Sequence, residues 1–305
     1  GFALAFVAGT GAMLALSIPV FLRHGEAAAI KPLLEALRYV HEGALRDVFI
    51  GHAPRMGSSW VHPNLLGGML VLLLPVTAFL LLGARGLQRM LLLAVGLAGL
   101  AGLLFSMSRG AMLALALVLL WLALRGLRVA RWLVLLGALL AVVLAAGNAT
   151  LQSRLAMTFS AENASTVARV EEYRRFPEAL ARYPAGIGFK SDPPPPGSGL
   201  LGISNLWLNY MYKLGLPAML LFIAVLVSWW RETVPARPGP PRLATGLRMA
   251  IVAALLTGPI DHYFSFSPVA IAVFWAVLGL SLQVARMAGD ATVPTSRPEP
   301  PQPPP

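Results

Sequence analysis

Long apolar runs separated by short polar turns make up most of the chain. A run of about 20 apolar residues, rising about 1.5 Å per residue, is long enough to cross a hydrocarbon core of roughly 30 Å. No alternation of apolar and polar positions indicates strands. We therefore predict an all-α, polytopic transmembrane bundle with about eight spans. The predicted spans are Phe2–Leu22, Asn64–Gly83, Leu87–Met107, Gly110–Leu124, Trp132–Ala146, Leu206–Trp230, Leu243–Leu256 and Phe266–Val284.

Two longer polar stretches interrupt these spans. Residues 23–63 mix charges with apolar positions in a pattern that approximates an interfacial amphipathic helix, and an ordinary connecting helix explains them equally well. Residues 148–204 form the long loop, which contains helical spacing and a turn-forming run. We assign both loops to one transmembrane domain, residues 1–292. Residues 293–305 are rich in proline and lack core-forming residues, which predicts a disordered tail.

Composition agrees with a membrane protein. The chain is 57% hydrophobic and 12% charged, whereas soluble domains are about a quarter charged. It contains no cysteine, which excludes disulfides and thiolate metal sites. The net charge of +11 resides mostly at helix ends, where topology, anionic lipids and phosphate-bearing substrates explain it better than nucleic acid does. Because the chain opens at Gly1, directly in apolar sequence, we expect further residues upstream.

The basic turns predict the orientation of the bundle, since Lys and Arg in short loops favour the cytoplasm. Alternate turns carry Arg85 and Arg89, Arg125 to Arg131, Arg231 to Arg242, and Arg286. These turns and the tail are therefore predicted to be cytoplasmic. The remaining connections share the extracytoplasmic face: loop 23–63, the turn at residues 106–109, loop 148–204, and the turn at residues 258–267.

Polar residues at the extracytoplasmic face are the candidates for chemistry, because the sequence has no Walker loop, His-Glu-x-x-His or Gly-x-Ser-x-Gly motif. His62 and Asn64 flank Pro63 at a helix start, where free amides attract an anion, unless they only cap the helix. Arg109 lies in a tight turn between apolar helices, where a charge needs a partner or an aqueous cavity. Snorkelling to lipid headgroups is the alternative. A guanidinium suits bidentate pairing with a pyrophosphate.

The long loop and the last turn add further candidates. Arg169 and Tyr173 lie four residues apart and so share a helix face. A solvated helix, whose Glu and Arg residues pair with one another, is the alternative. His262 offers an imidazole that titrates near neutrality, with the Asp261 carboxylate beside it in sequence. Adjacent residues on a helix do not face each other, so a catalytic dyad does not follow, and a structural role for His262 stays open.

In their order, these motifs resemble the bacterial O-antigen ligase and polymerase superfamily. The resemblance covers about Val61 to Phe222, and the flanking regions match only as generic membrane helices. Its motifs are His62-Pro63-Asn64 at a helix start, Ser106-x-Ser108-Arg109-Gly110-Ala111 between helices, Arg169 before Tyr183-Pro184-x-Gly186-Ile187-Gly188, then Asn205-x-x-Leu208 and Gly215-Leu216-Pro217. Each motif alone is weak, but their order around one long loop is fairly specific.

The resemblance implies an inverting glycosyl transfer on the periplasmic side of the bacterial inner membrane, without metal or cofactor. The donor would be a glycan linked to polyprenyl diphosphate, and the acceptor a hydroxyl on a glycan or lipid. Membrane lipids are the other expected partners. The resemblance maps Arg109 and Arg169 onto arginines that bind the diphosphate, and we take His262 as a third catalytic candidate. The candidates for substrate binding are His62, Asn64, Arg174, Ser204 and Asn205.

Ser204 departs from the family pattern. Ligases of the family usually carry a histidine there, proposed as the base for the acceptor hydroxyl, and a serine cannot act as a base near neutral pH without help. Either the base lies elsewhere, or the protein is a polymerase or a divergent transferase. A non-catalytic transporter or binder of lipid-linked glycan is the second hypothesis. Transporters usually place polar residues near the membrane midplane, whereas the candidates here cluster at one face.

Overall fold

The computed structural model describes residues 1–25, 30–36, 55–58, 62–135, 139, 164–188, 196–197, 199–234 and 243–290. Within these ranges every regular element is a helix and no strand occurs, which confirms the all-α prediction for this part of the chain. The helices are α1 (Phe2–His24), α2 (Lys31–Ala36), α3 (Pro63–Gly83), α4 (Gly86–Ser106), α5 (Arg109–Leu124), α6 (Ala164–Arg182), α7 (Leu206–Thr233), α8 (Leu243–Thr257), α9 (Tyr263–Phe266) and α10 (Pro268–Asp290). Residues 128–135 are also helical.

Five of these helices are long and apolar enough to cross a membrane: α1, α3, α4, α7, and Pro268–Met287 of α10. Helices α5 and α8 are apolar but shorter. Seven of the predicted spans therefore correspond to apolar helices. The eighth, Trp132–Ala146, lies largely outside the described residues, as do the tail and much of both predicted loops. The full count of about eight spans stays a prediction.

Helix α3 is the centre of the bundle. It is apolar around most of its circumference, and Leu66, Met69 and Val76 are among its fully buried residues. A helix that is hydrophobic on all sides is expected to be enclosed by others. Helices α1, α4, α5, α8 and α10 pack around it.

Two glycines at the start of α3 let other segments approach closely. A Cβ atom at Gly67 would collide with the side chain of Ser108, and one at Gly68 would collide with the ring of Tyr263. Ser108 and Tyr263 can therefore take these positions only because glycine has no Cβ atom. The glycine pair fixes the α4–α5 turn and helix α9 against the beginning of α3.

Helix α7 is interrupted at Gly215, whose φ of 80° and ψ of 170° are non-helical. Glycine suits this position because positive φ strains other residues. The break frees two carbonyl groups, which accept hydrogen bonds from the long-loop run Tyr183–Gly188. The Ile187 N–H donates to the Tyr212 carbonyl at 3.0 Å, and the Gly188 N–H donates to the Lys213 carbonyl at 2.8 Å.

A second, small hydrophobic cluster binds α6 to the beginning of α7. It consists of Phe176, Ala179, Leu200, Ile203 and Tyr212. The Tyr212 hydroxyl also donates to the Leu200 carbonyl at 2.8 Å. As a result, one face of α6 lies against the segment that leads into α7.

Candidate active site

Helix ends that are distant in sequence meet at one end of the bundle. The Leu206 N–H donates to the Gly258 carbonyl at 2.8 Å, which joins the start of α7 to the end of α8. The Ser108 hydroxyl lies 3.2 Å from the Tyr263 hydroxyl, which joins the α4–α5 turn to α9. The turns predicted to share one face thus lie together. The side of the membrane that they face stays a prediction.

Asp261 is the anion at the centre of this end. Its side chain is only 10% exposed. Oδ2 accepts a hydrogen bond from Asn64 Nδ2 at 3.2 Å and lies 3.9 Å from a terminal nitrogen of Arg169, while Oδ1 accepts the His262 N–H at 2.9 Å. Burial alone would raise the pKa of Asp261, but interactions with the His262 ring and N–H and with Tyr263 outweigh burial and hold that pKa below its ordinary value. Asp261 is therefore a carboxylate at neutral pH.

Arg169 of α6 is held by Asp261 but keeps unused donors. Its side chain is 22% exposed, and Nε is buried with no hydrogen-bond partner among the described residues. The 3.9 Å contact to Asp261 is longer than a charge-assisted hydrogen bond of about 2.7–2.9 Å. A buried donor without a partner costs about 1–3 kcal/mol. An anion that took up these donors would recover that energy.

Arg55 is a second cation at this end, and motif reasoning missed it. Its Nε donates to the Ser106 carbonyl at 2.8 Å, and a terminal nitrogen donates to Asn64 Oδ1. The pKa of Arg55 is lowered, mainly by desolvation. The charge of Arg109 lowers it further, whereas Tyr263 and Asp261 oppose this effect. In the sequence Arg55 is an isolated charge in an irregular segment. Its closeness to His62 was the only available signal.

Arg109 begins α5 at the same end of the bundle and is half-buried. Its positive charge lowers the pKa of Arg55, so the two guanidinium groups are electrostatic neighbours. Arg55 in turn contacts Asn64, which contacts Asp261. The structure therefore places Arg109 near the Arg55 end, and Arg169 near the Asp261 end, of one Arg55–Asn64–Asp261 chain of contacts.

His62 caps α3, as the structural alternative proposed. Its Nδ1 accepts the N–H of Asn64 at 3.1 Å, so this nitrogen carries no proton. Desolvation lowers the pKa of His62, Asp261 opposes that effect, and the charges of Arg55 and His262 add to it. The side chain keeps access to solvent. His62 is thus a neutral imidazole at the rim, while Asn64 connects Arg55 to Asp261.

His262 lies beside the carboxylate but is not hydrogen-bonded to it through its ring. Nδ1 is 3.5 Å from Asp261 Oδ1, and it is buried without a hydrogen-bond partner in the part of the chain that the structure describes. The ring also packs edge-on against Phe266, with 4.9 Å between centroids. The shortest contact between His262 and Asp261 is therefore the backbone hydrogen bond of 2.9 Å.

Arg169 and Tyr173 share one face of α6, as their spacing predicted. The Tyr173 hydroxyl lies 3.4 Å from the carbonyl oxygens of Ser204 and Pro259. The opposite face carries Arg174, whose side chain is 80% exposed and lies 3.8 Å from Glu171. The structure thus places Arg174 on the solvent face and does not bring it into the Asp261 cluster. The solvated-helix hypothesis therefore describes the face with Arg174 and Glu171, while a substrate site on the other face stays a prediction.

Ser204 and Asn205 lead into α7. Asn205 Oδ1 caps the helix by accepting the N–H groups of Trp207 at 3.0 Å and Leu208 at 3.2 Å. Ser204 is held by a residue that sequence reasoning missed: its N–H donates to Glu172 Oε2 at 2.6 Å and its hydroxyl donates to Glu172 Oε1 at 3.1 Å. The available signal was the three-residue spacing of Glu172 from Arg169, which puts both on one face.

Comparison with known proteins identifies the central part of the chain. Residues 92–223 match the family model described as O-antigen ligase. The match includes Arg109, Arg169, Glu172 and Ser204, whereas Asp261 lies beyond it. Searches of curated proteins and of solved structures gave no match. This match supports the O-antigen ligase and polymerase superfamily, and together with the apolar helices it supports a multi-pass membrane protein.

Proposed function

We propose that this protein is an inverting, metal-independent glycosyltransferase of polysaccharide biosynthesis. It transfers a glycan from a polyprenyl diphosphate carrier to an acceptor hydroxyl, at the end of the bundle where Asp261 lies. This end faces the periplasm in the proposal, as the basic turns at the other end predict. The family match over residues 92–223 supports a glycosyltransferase-type enzyme that acts on lipid-linked glycan.

The observation that carries the proposal is the state of Arg169. Its guanidinium is largely buried, contacts its counter-ion only at 3.9 Å, and keeps a buried Nε without a hydrogen-bond partner among the described residues. A phosphate oxygen is the kind of acceptor that a planar guanidinium fork matches. Arg169 is thus ready to bind an anion without rearranging α6.

The reaction needs negative charge to be stabilised on the departing diphosphate. As the acceptor oxygen bonds to the anomeric carbon, the bond from that carbon to the phosphate oxygen breaks, and its electron pair leaves with the diphosphate. In the proposal Arg169 and Arg109 hold that charge from two sides, because fixed donors stabilise developing charge without reorganisation. Arg55 adds positive potential between them.

Asp261, Asn64 and His262 position the arginines in this proposal. Asp261 orients Arg169 from 3.9 Å without saturating its donors. Asn64 donates a hydrogen bond to Asp261 and accepts one from Arg55, so it holds Arg55 in a fixed position relative to Asp261. His262 keeps Asp261 ionised. His62 and Asn205, which cap the helices on either side, bind the substrate at the rim.

Substitution of the two arginines tests the proposal. Arg109→Ala and Arg169→Ala are expected to lower kcat for transfer from a polyprenyl diphosphate glycan by about 100- to 1,000-fold, the usual cost of losing one stabilising donor. Arg174→Ala is the matched control, because Arg174 lies on the exposed face of α6, and its activity should stay within twofold of wild type. The measurement is turnover of purified protein in proteoliposomes. Full activity of both variants at normal expression would refute the mechanism.

The break in α7 favours a second candidate, a non-catalytic transporter or binder of lipid-linked glycan, since transporters often use discontinuous helices. However, the freed carbonyls of Tyr212 and Lys213 are occupied by N–H groups of residues 187 and 188. One lone pair of each carbonyl is therefore already used, so the break offers an ion less than an open turn would. Saturable binding of the donor to wild-type protein, with no transfer to any acceptor, would favour this candidate.

A further inference from the structure

Glu172 is the acidic side chain that reaches Ser204. Both of its oxygens are engaged, one by the Ser204 N–H at 2.6 Å and the other by the Ser204 hydroxyl at 3.1 Å. Neither donor carries a charge. Each carboxylate oxygen accepts about two hydrogen bonds, so the half-buried Glu172 keeps a lone pair on each oxygen for a third partner.

Asp261, the other carboxylate near Arg169, is bound differently. Its partners include the Arg169 guanidinium and His262, and its side chain is 10% exposed. The Arg169 guanidinium favours the charged form, which makes Asp261 a poor proton acceptor. Within the described ranges the hydrogen-bond donors to Glu172 are neutral, and its side chain is the more accessible of the two. Of the two carboxylates, Glu172 is therefore the one that an acceptor hydroxyl can approach.

The placement of Glu172 also fits the reaction. Arg169 and Glu172 lie three residues apart on α6, a spacing that puts their Cβ atoms about 5–6 Å from each other on one face. The group that binds the leaving diphosphate and a proton acceptor therefore face the same space. Glu172 is also in hydrogen-bond contact with Ser204, just before the start of α7.

We propose that Glu172 is the general base of the transferase, with Ser204 as the positioning residue that holds its carboxylate; this inference rests on the proposed function. As the acceptor oxygen bonds to the anomeric carbon, its proton passes to a carboxylate oxygen of Glu172. The electron pair of the breaking bond leaves on the diphosphate. Glu172 then returns the proton to water, so the enzyme regains its starting state.

Conversion to the amide tests this role with little change in shape. Glu172→Gln is expected to lower kcat by about 100- to 10,000-fold, the range of general-base catalysis. The Kd for donor should stay within threefold, because the diphosphate arginines are unchanged. Glu171→Gln, the adjacent glutamate on the exposed face, is the matched control and should retain wild-type kcat. Ser204→Ala should lower kcat by less than tenfold, since the Ser204 N–H still orients the carboxylate.

Rescue by an external base separates catalysis from a structural role. Folded Glu172→Ala should regain at least tenfold activity with added sodium formate, whereas Arg169→Ala should not respond. The inference is overturned if Glu172→Gln keeps kcat within threefold of wild type. It is also overturned if folded Glu172→Ala is inactive and formate has no effect. Rescue of Glu172→Ala by formate decides the question if Glu172→Gln does not fold.

The two proposals fail in different ways. Loss of activity in Arg169→Ala together with wild-type kcat in Glu172→Gln would remove Glu172 as base and leave the transferase intact. Donor binding by wild-type protein without any transfer would remove the transferase, and the base with it.

Discussion

The two faces of helix α6 carry the same kinds of charged residue in different surroundings. On the outer face, Glu171 lies 2.6 Å from Arg175 and 3.8 Å from Arg174, and all three side chains are well exposed. On the inner face, Arg169 contacts Asp261, which lies 92 residues away in sequence, and Glu172 holds Ser204. The outer charges therefore satisfy one another locally, whereas the inner charges depend on distant segments.

This difference determines what each face can contribute. Exposed ion pairs within one helix contribute about 0–1 kcal/mol, because water screens them. The inner charges are partly removed from water, so their partners and their unused donors matter more. Only the inner face combines charge, burial and free hydrogen-bonding capacity, which is what binding of an anionic substrate requires.

The largest effect on stability is expected at the carboxylate that faces α6. Asp261→Asn should lower the free energy of unfolding by about 3 kcal/mol, because it leaves the Arg169 charge buried without its counter-ion. Glu171→Gln removes an exposed, solvent-screened carboxylate and should change the free energy of unfolding much less. Chemical unfolding in detergent, followed by tryptophan fluorescence, measures both. Equal effects of the two variants would erase the distinction between the faces.

The dependence of stability on pH should reveal the same contribution of the Asp261 carboxylate to the free energy of unfolding. The folded-state pKa of Asp261 lies below its ordinary value of 3.8, so its contribution is complete above that value. The contribution is then lost as the pH falls through the lower folded-state pKa. Between neutral pH and pH 3 the wild type should therefore lose stability that Asp261→Asn, having no carboxyl group, does not lose. Parallel acid profiles for the two proteins would contradict this assignment.

The sequence was enough to predict the helices and some of the site, but not the contacts that make the site. The apolar runs that became α3 and α7 are long and uniform, so their helical state was readable. Arg169 was found through its place before the Tyr183–Gly188 motif. Glu172 and Arg55 were missed because their importance arises from contacts with Ser204 and Ser106, 32 and 51 residues away. No local pattern records such contacts.

A smaller effect is expected from replacing the inner arginine by lysine. Arg169→Lys keeps the charge but loses the planar fork, so kcat/KM for the donor should fall about tenfold, or about 1.4 kcal/mol of transition-state stabilisation. Arg174→Lys, on the outer face, should leave kcat/KM unchanged because Arg174 meets mainly solvent and Glu171. Steady-state kinetics in proteoliposomes distinguish the variants. If Arg169→Lys were fully active, a point charge would suffice, and the fork geometry would have no role in donor binding.

The smallest effect is expected at Tyr173, the uncharged member of the inner face. Its hydroxyl lies 3.4 Å from two carbonyl oxygens, whereas a strong O–H···O hydrogen bond is about 2.7–2.8 Å long. Tyr173→Phe should therefore change the free energy of unfolding by less than about 0.5 kcal/mol and leave transfer within twofold of wild type. Tyr183→Phe is the control, since the Tyr183 hydroxyl donates at 2.9 Å to the Pro196 carbonyl, also in an exposed setting.

A loss above about 1 kcal/mol in Tyr173→Phe alone would show that the hydroxyl fastens α6 to the Ser204 and Pro259 segments. In that case an uncharged contact, and not only Arg169 and Glu172, would hold the inner face in place.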